Sequence, residues 1–155
     1  MKSIFIIFQL TVSAFSFSQT ERAITADSLI ELAKSQIGVG YKWATSNPGT
    51  SFDCSGFTSY VYGSFNVKSS RSSKVYGSLG EKIALEDCQK GDCILFSGTQ
   101  PGSKTIGHIG IIVENHENSI KFIHCSSSKR HFGVVITDYY ASGYPKRFLQ
   151  VRRLF

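Results

Sequence analysis

The second half of the chain constrains the fold most. After Gly91 come five short runs rich in β-branched and aromatic residues: Cys93–Ser97, His108–Glu114, Ser119–Ser126, Val134–Thr137 and Phe148–Leu154. Turn residues separate them and no helical period connects them, so each is expected to be a strand. The first half reads differently. Leu29, Ile30, Leu32, Ala33 and Ile37 recur at helical spacing, Asp27 or Thr25 can cap the start, and Gly38 can end the helix. A second helix is expected from about Cys54, carrying Phe57, Tyr60 and Val61. Residues 38–51 (GVGYKWATSNPGTS) read as a loop. Residues 64–74 read as irregular, with room for a short helix after Ser72. Helices first and strands afterwards is the order of an α+β domain, with helices packed on one face of a mainly antiparallel sheet of about five strands.

At 155 residues, 41% of them hydrophobic, the chain has the length of one domain and too much apolar content for a disordered or fibrous protein. Residues 1–19 (MKSIFIIFQLTVSAFSFSQ) set an early lysine before an apolar stretch from Ile4 to Phe17. Small residues follow at Ser16 and Ser18, the pattern of a signal peptide cleaved near Ser18–Gln19. The stretch is shorter than the roughly 20 apolar residues that span a bilayer, so no stable membrane insertion is expected. The expectation is a chain exported to the periplasm or secreted, with one domain over residues 20–155.

The formal net charge of +6 is concentrated at the C-terminal end. Residues 121–155 hold seven basic groups (Lys121, Lys129, Arg130, Lys146, Arg147, Arg152, Arg153) against one acid, Asp138. A solvated basic face is one reading. Attraction to an anionic polymer outside the cytoplasm, such as a cell wall, is the other. Nucleic acid fits an exported chain poorly, and the alternation of aromatic and basic residues typical of single-strand binders is missing.

Asp53-Cys54-Ser55-Gly56-Phe57 carries the chemistry. A thiol attacks as thiolate, and a helix N-terminus stabilises that anion with its partial positive charge and free N–H groups. Cys54 lies where a loop gives way to a helical pattern. The same N–H groups can hold the oxyanion formed when a carbonyl is attacked, and Gly56 keeps the first turn uncrowded. His108 and His124 are the candidate bases. A hairpin pairing Ile112 with Ile120 and Gly110 with Phe122 sets His108 opposite His124 on one face, about 5 Å apart at Cβ. His108 then takes the proton from Cys54 and His124 orients it. Ile109, Ile111, Ile123 and Cys125 face the core. His116 reads as surface and His131 as a loop residue. Cys88, Cys93 and Cys125 read as buried thiols, although four cysteines also admit three disulfide pairings. Neither CxxC nor HxxxH spacing occurs, so no metal site is expected.

Taken together, the mature chain resembles the NlpC/P60 family of papain-like cell-wall cysteine peptidases. The matching pieces are Gly40-Tyr41-Lys42-Trp43, Asp53-Cys54-Ser55-Gly56-Phe57, Arg71-Ser72-Ser73, Gly91-Asp92-Cys93-Ile94-Leu95-Phe96, Gly107-His108-Ile109-Gly110-Ile111 and Phe122-Ile123-His124-Cys125-Ser126. The resemblance implies a papain-like α+β fold, with Cys54 as nucleophile, His108 as general base and His124 as the residue that orients it. It implies that Tyr41 lines the site and that Asp53, Ser55, Arg71 and Ser72 shape the substrate pocket. The implied activity is hydrolysis of peptidoglycan stem peptides, commonly between D-glutamate and a diamino acid such as diaminopimelate, with no metal or organic cofactor. No separate wall-binding domain is expected. At Trp43-Ala44-Thr45 the chain departs from relatives that place glycines after the aromatic residue. An acyltransferase or protein-directed peptidase on the same residues, and a catalytically silent wall-binding module, are the other readings.

Overall fold

The computed structural model describes residues 26–99, 102–116 and 119–155. The expected signal peptide, its cleavage point and the Thr25 cap lie outside these residues. The first helix, α1, runs through residues 26–35. Asp27 lies inside it rather than capping it, and its carboxylate pairs with Lys90 at 2.6 Å. Leu29, Ile30 and Ala33 are buried, whereas Ile37, past the helix end, is 51% exposed and belongs to the turn. Gly38 ends that turn with φ +90°, a conformation that costs glycine little and other residues more.

The stretch expected to be a loop is instead a small sheet. Strands β1 (Gly40–Tyr41), β2 (Ser46–Asn47) and β3 (Ser51–Phe52) lie in the order β1-β3-β2, with β1 parallel and β2 antiparallel to β3. Two-residue strands carry no alternation that a sequence reader could detect, which is why the segment reads as loop. The small sheet delivers the chain to α2 (Cys54–Gly63). A 3-10 turn follows at Val75–Ser78, in the place expected for a short helix.

Strands β4 (Glu81–Ile83), β5 (Cys93–Ser97), β6 (Ile106–His116), β7 (Ser119–Ser128), β8 (His131–Asp138) and β9 (Phe148–Arg153) form the main sheet. Its order is β4-β9-β5-β6-β7-β8 and every neighbouring pair is antiparallel. It therefore has six strands rather than five. The addition is β4, a three-residue edge strand of polar Glu81 and Lys82 that offers no apolar run. At the other edge Gly38 N–H donates to the Val134 carbonyl and the Val39 carbonyl accepts from Val134 N–H, which satisfies that part of the open edge of β8.

Each face of the sheet buries its own core. On one face Cys93, Leu95, Ile109, Ile111, Ile123 and Cys125 pack under both helices, against Leu29, Phe57 and Val61. On the other, Ile94, Phe96, Ile112 and Phe122 pack under the segment that leads into β9, against Tyr139, Tyr144 and Phe148. Strand alternation assigns the two sets. Asp92, at the mouth of β5, is buried and receives two 2.8 Å hydrogen bonds from Arg153 of β9, tying two strands together at that end.

Candidate active site

The thiol half of the site is local in sequence. Asp53 is the N-cap of α2, and its Oδ1 accepts from the Gly56 N–H at 2.6 Å. The same carboxylate receives Arg71 through Nη1 and Nη2 at 3.3 and 3.0 Å. Ser55 Oγ lies 3.0 Å from Asp53 Oδ1 and donates to the Arg71 carbonyl at 2.8 Å. Asp53, Ser55 and Arg71 are thus brought together as a brace behind Cys54. Ser72 is exposed in the adjoining turn. Gly56 is obligatory here, because a Cβ would lie 2.0 Å from the Thr45 carbonyl and 2.1 Å from Arg71 Nη1.

The turn before the brace explains the departure at residues 43–45. Ala44 adopts φ +61°, a left-handed conformation that suits glycine better than alanine. The turn holds because Thr45 Oγ1 donates to the Lys42 carbonyl at 2.8 Å and the Thr45 carbonyl accepts from Asp53 N–H at 3.0 Å.

Cys54 is partly buried, and the N–H groups of Ser55, Ile109 and Cys54 itself are directed at its sulfur. Burial, followed by the Asp53 charge, pushes the thiol up to about 11. Tyr41 belongs to this half. Burial and then the Cys54 and Asp53 charges raise its phenol, and its ring meets Phe132 edge-on at 6.1 Å.

The histidine half is assembled from distant segments. His108 Nε2 lies 2.9 Å from His124 Nδ1, and His124 Nε2 lies 2.9 Å from Thr137 Oγ1. The two imidazoles are on one face of the sheet, as the alternation predicts, but the pairing register differs from the expected one. Ile111 pairs with Ile123 and Ile112 with Phe122, with a bulge before Glu114–Lys121. Gly110 then falls opposite His124, and His108 reaches it along the diagonal. A two-residue slip preserves the face of every side chain, so the juxtaposition survives the change of partner. Gly110 makes room for it: a Cβ there would meet Phe122 Cδ2 at 2.6 Å and His124 Cβ at 3.2 Å.

Both imidazoles are buried, His108 at 9% exposure and His124 at 1%. Burial, reinforced by the Arg147 cation, pushes His108 down to about 3. Burial and then His108 and Arg147 hold His124 well below the ordinary histidine value. Thiol and imidazoles are therefore neutral at rest. Among the described residues there is no hydrogen bond between Cys54 and His108, and Cys54 contacts the β6 backbone at Ile109 instead.

Two members of this half were not singled out from sequence. Thr137 terminates the chain of polar contacts. Tyr144 lies with its hydroxyl 3.4 Å from His108 Nε2 and its ring stacked on His108 at 5.7 Å. Arg147 lies over the Tyr144 ring at 5.2 Å. The Gly143-Tyr144-Pro145 step marks a 3-10 turn with proline near its start, but nothing in its spacing indicates which sheet face it covers. His131, expected in a loop, begins β8 and lines a cavity of about 670 Å³ beside His124. His116 is exposed at the end of β6, 3.8 Å from Glu114. All four cysteines are free thiols, and Cys88, Cys93 and Cys125 are buried.

Residues 38–153 match the family model described as NlpC/P60 family. The gamma-D-glutamyl-L-lysine dipeptidyl-peptidase of Bacillus cereus (strain ATCC 10987 / NRS 248) is 32% identical over 128 residues, 83% of this chain and 36% of that protein. The bifunctional muramidase/DL-endopeptidase CwlT of Bacillus subtilis (strain 168) is 36% identical over 78 residues, 50% of this chain and 23% of its own length. Among solved structures, NlpC2 from Trichomonas vaginalis superposes with a TM-score of 0.72 at 29% identity, covering 84% of this chain and 46% of that one. An NlpC/P60 family protein from Bacillus cereus ATCC 10987 also gives 0.72, at 30% identity, covering 83% and 40%. The chain thus spans less than half the length of each of these four proteins.

Proposed function

The chain belongs to the NlpC/P60 family, and we propose that it is a cysteine peptidase that hydrolyses the stem peptides of peptidoglycan at a D-glutamyl–diamino acid bond. The relatives named above as peptidases support the substrate class. The observation that carries the reading is the pairing of a thiol at a helix N-terminus with a polar relay ending on the neighbouring strand residue, His108.

The mechanism selects one tautomer of the relay. In it Thr137 Oγ1 accepts from His124 Nε2–H, which makes His124 Nδ1 the acceptor for His108 Nε2–H across the two 2.9 Å contacts. His108 Nδ1 then keeps its lone pair and is the basic atom. Because thiol and imidazole rest neutral, the proton moves as the bond forms rather than before it. Cys54 Sγ attacks the amide carbonyl, its proton passes to His108 Nδ1, and the N–H groups of Cys54 and Ser55 hold the oxyanion. Collapse breaks the C–N bond, and His108 returns that proton to the leaving amine. Water then attacks the thioester as His108 accepts a proton from it, and the C–S bond breaks as His108 returns that proton to Cys54 Sγ, which restores the thiol and releases the acyl group as a carboxylic acid.

Tyr41 and the brace of Asp53, Ser55 and Arg71 shape the acyl side in this reading. Asp53 does so by fixing α2, since its oxygens are already occupied. No residue in this scheme calls for a metal or organic cofactor. We place the protein outside the cytoplasm, in keeping with the signal-peptide pattern expected from the sequence at residues 1–19 and a peptidoglycan substrate. None of the helices among the described residues is long and apolar enough to cross a membrane.

The test is a digest. The protein and its Cys54→Ala variant are incubated with purified muropeptides and the products followed by mass. Cleavage by the parent alone is expected. Equal product from both would remove Cys54 from the mechanism, and no product from the parent would reject the substrate class.

A further inference from the structure

The cavity of about 670 Å³ beside the relay has a charge pattern that the peptidase scheme leaves unused. Arg130, His131 and Arg147 line it together with the hydroxyls of Ser126 and Ser128. Four other cations are neutralised by carboxylates: Arg71 pairs with Asp53, Arg153 with Asp92, Lys121 with Glu114 and Lys90 with Asp27. Among the described residues Arg130 and Arg147 have no ion pair. Arg147 spends Nε and Nη2 on the Ser97 carbonyl and also bonds the Tyr144 hydroxyl, contacts that fix its guanidinium at the cavity wall. The cavity's one acid, Asp138, accepts from the Ala141 N–H at 2.9 Å. A concave site that gathers two arginines, a histidine and two hydroxyls has the donors to bind an oxyanion, and guanidinium matches a carboxylate in geometry as well as charge.

Position narrows the choice of carboxylate. The cavity wall includes His124, which is bonded to His108 in the relay. In the peptidase reading His108 gives its proton to the leaving amine, and on that reading the cavity flanks the leaving side of the scissile bond. We infer that it is a subsite for a carboxylate carried by the amine-side fragment of the substrate, of the kind a diaminopimelate side chain bears and a lysine side chain lacks. The terminal carboxylate of the same fragment is the second source of this chemistry. The inference rests on the peptidase reading and assigns Arg130, His131 and Arg147 to specificity rather than to bond cleavage.

Four stem tetrapeptides test it: one with diaminopimelate, one with its side-chain carboxyl amidated, one with lysine, and one with diaminopimelate and a C-terminal amide. The parent enzyme is expected to lose about 10-fold or more in kcat/KM when the recognised carboxylate is removed, mostly through KM, as for loss of one charge-assisted contact. Loss with the side-chain amide and lysine peptides assigns the side-chain carboxylate. Loss with the C-terminal amide alone assigns the chain end. Arg130→Ala should narrow the ratio between free and amidated peptides, and Arg130→Lys should retain most of it. Equal kcat/KM on all four peptides, or an unchanged ratio in Arg130→Ala, would overturn the inference.

Binding separates this outcome from failure of the peptidase reading. Cys54→Ala protein is titrated with the same peptides while the amide NMR signals of residues 126–131 and 144–147 are followed. Shifts that require the free carboxylate support the subsite even if the parent cleaves nothing. Identical shifts with free and amidated peptides, or none, reject it.

Discussion

The two halves of the site are built by opposite strategies. The thiol half is compact in the chain: the cap, the nucleophile, a bracing serine and the indispensable glycine occupy residues 53–56, and one ion pair to Arg71 completes it. The histidine half draws His108, His124, Thr137 and Tyr144 from three strands and a turn, and holds them by burial on a sheet face packed with aromatic rings. A capped helix start forms from local hydrogen bonds and tolerates modest changes nearby. A buried polar relay depends on every layer around it, since each unpaired group there would carry its full desolvation cost. The two halves should therefore fail in different ways.

Removing the base is expected to have the largest effect. His108→Ala should lower kcat/KM by about 10³-fold or more with the thiol half intact, measured on muropeptides alongside thermal unfolding. A loss below 10-fold would mean that another group takes the proton. Asp53→Ala attacks the other half through its architecture. Losing the cap and leaving Arg71 and Ser55 without their partner should cost about 2–3 kcal/mol in urea unfolding, discounted for the partly exposed Arg71. A cost under 0.5 kcal/mol would show that the brace is incidental.

The halves should also yield at opposite ends of the pH scale. His108 and His124 ionise in the folded protein below their ordinary 6.5. Their stabilisation is complete above that pH and is lost as pH falls through it, towards about 3 for His108. Each histidine contributes a slope of about 1.4 kcal/mol per pH unit in this window, which His124→Gln should reduce by its share. Cys54, raised from 9.0 to about 11, contributes stability that is complete below 9 and lost as pH rises through about 11. Cys54→Ala should make the alkaline limb shallower by its share, since buried Cys88 and Cys125 are raised as well, and leave the acid limb alone. An acid limb unchanged by His124→Gln would contradict the neutral, buried relay.

Smaller effects sharpen the contrast. Tyr144→Phe removes the 3.4 Å hydroxyl contact to His108 and the hydroxyl's bond with Arg147, and keeps the stacked ring. It should change kcat/KM by about 3-fold, with a shift in the acidic limb of the pH–rate profile, as expected for a weak contact to the base. Ala44→Gly relieves the left-handed residue in the turn and should raise stability by about 1 kcal/mol or less, because the greater freedom of glycine in the unfolded chain offsets part of the relief.

These differences explain how much could be read before folding. Cys54 at a helix start was legible because its cap and its glycine lie within three residues of it. The shared face of His108 and His124 was legible from alternation, and alternation survives a two-residue slip. Their register was not, because the bulge before Glu114 is set by how β6 and β7 pack rather than by composition. The small sheet at residues 40–52 escaped notice because its strands are too short to show a period, and β4 because an edge strand has no need of apolar residues.

By itself the sequence determined the α+β order, the helix that begins at the thiol, the two histidines on one face and the family pattern. All of these depend on neighbours a few residues apart or on a period of two. The tertiary structure alone decided that the histidine face is a second core, that Tyr144 and Thr137 complete the relay, and where the C-terminal charge goes. Of the seven basic groups after residue 120, Lys121 and Arg153 are paired, while Arg130 and Arg147 converge on one cavity beside the base. That convergence needs a hairpin tip and a turn separated in the chain to meet across a sheet face. Such a meeting is set by packing, which has no signature in linear spacing.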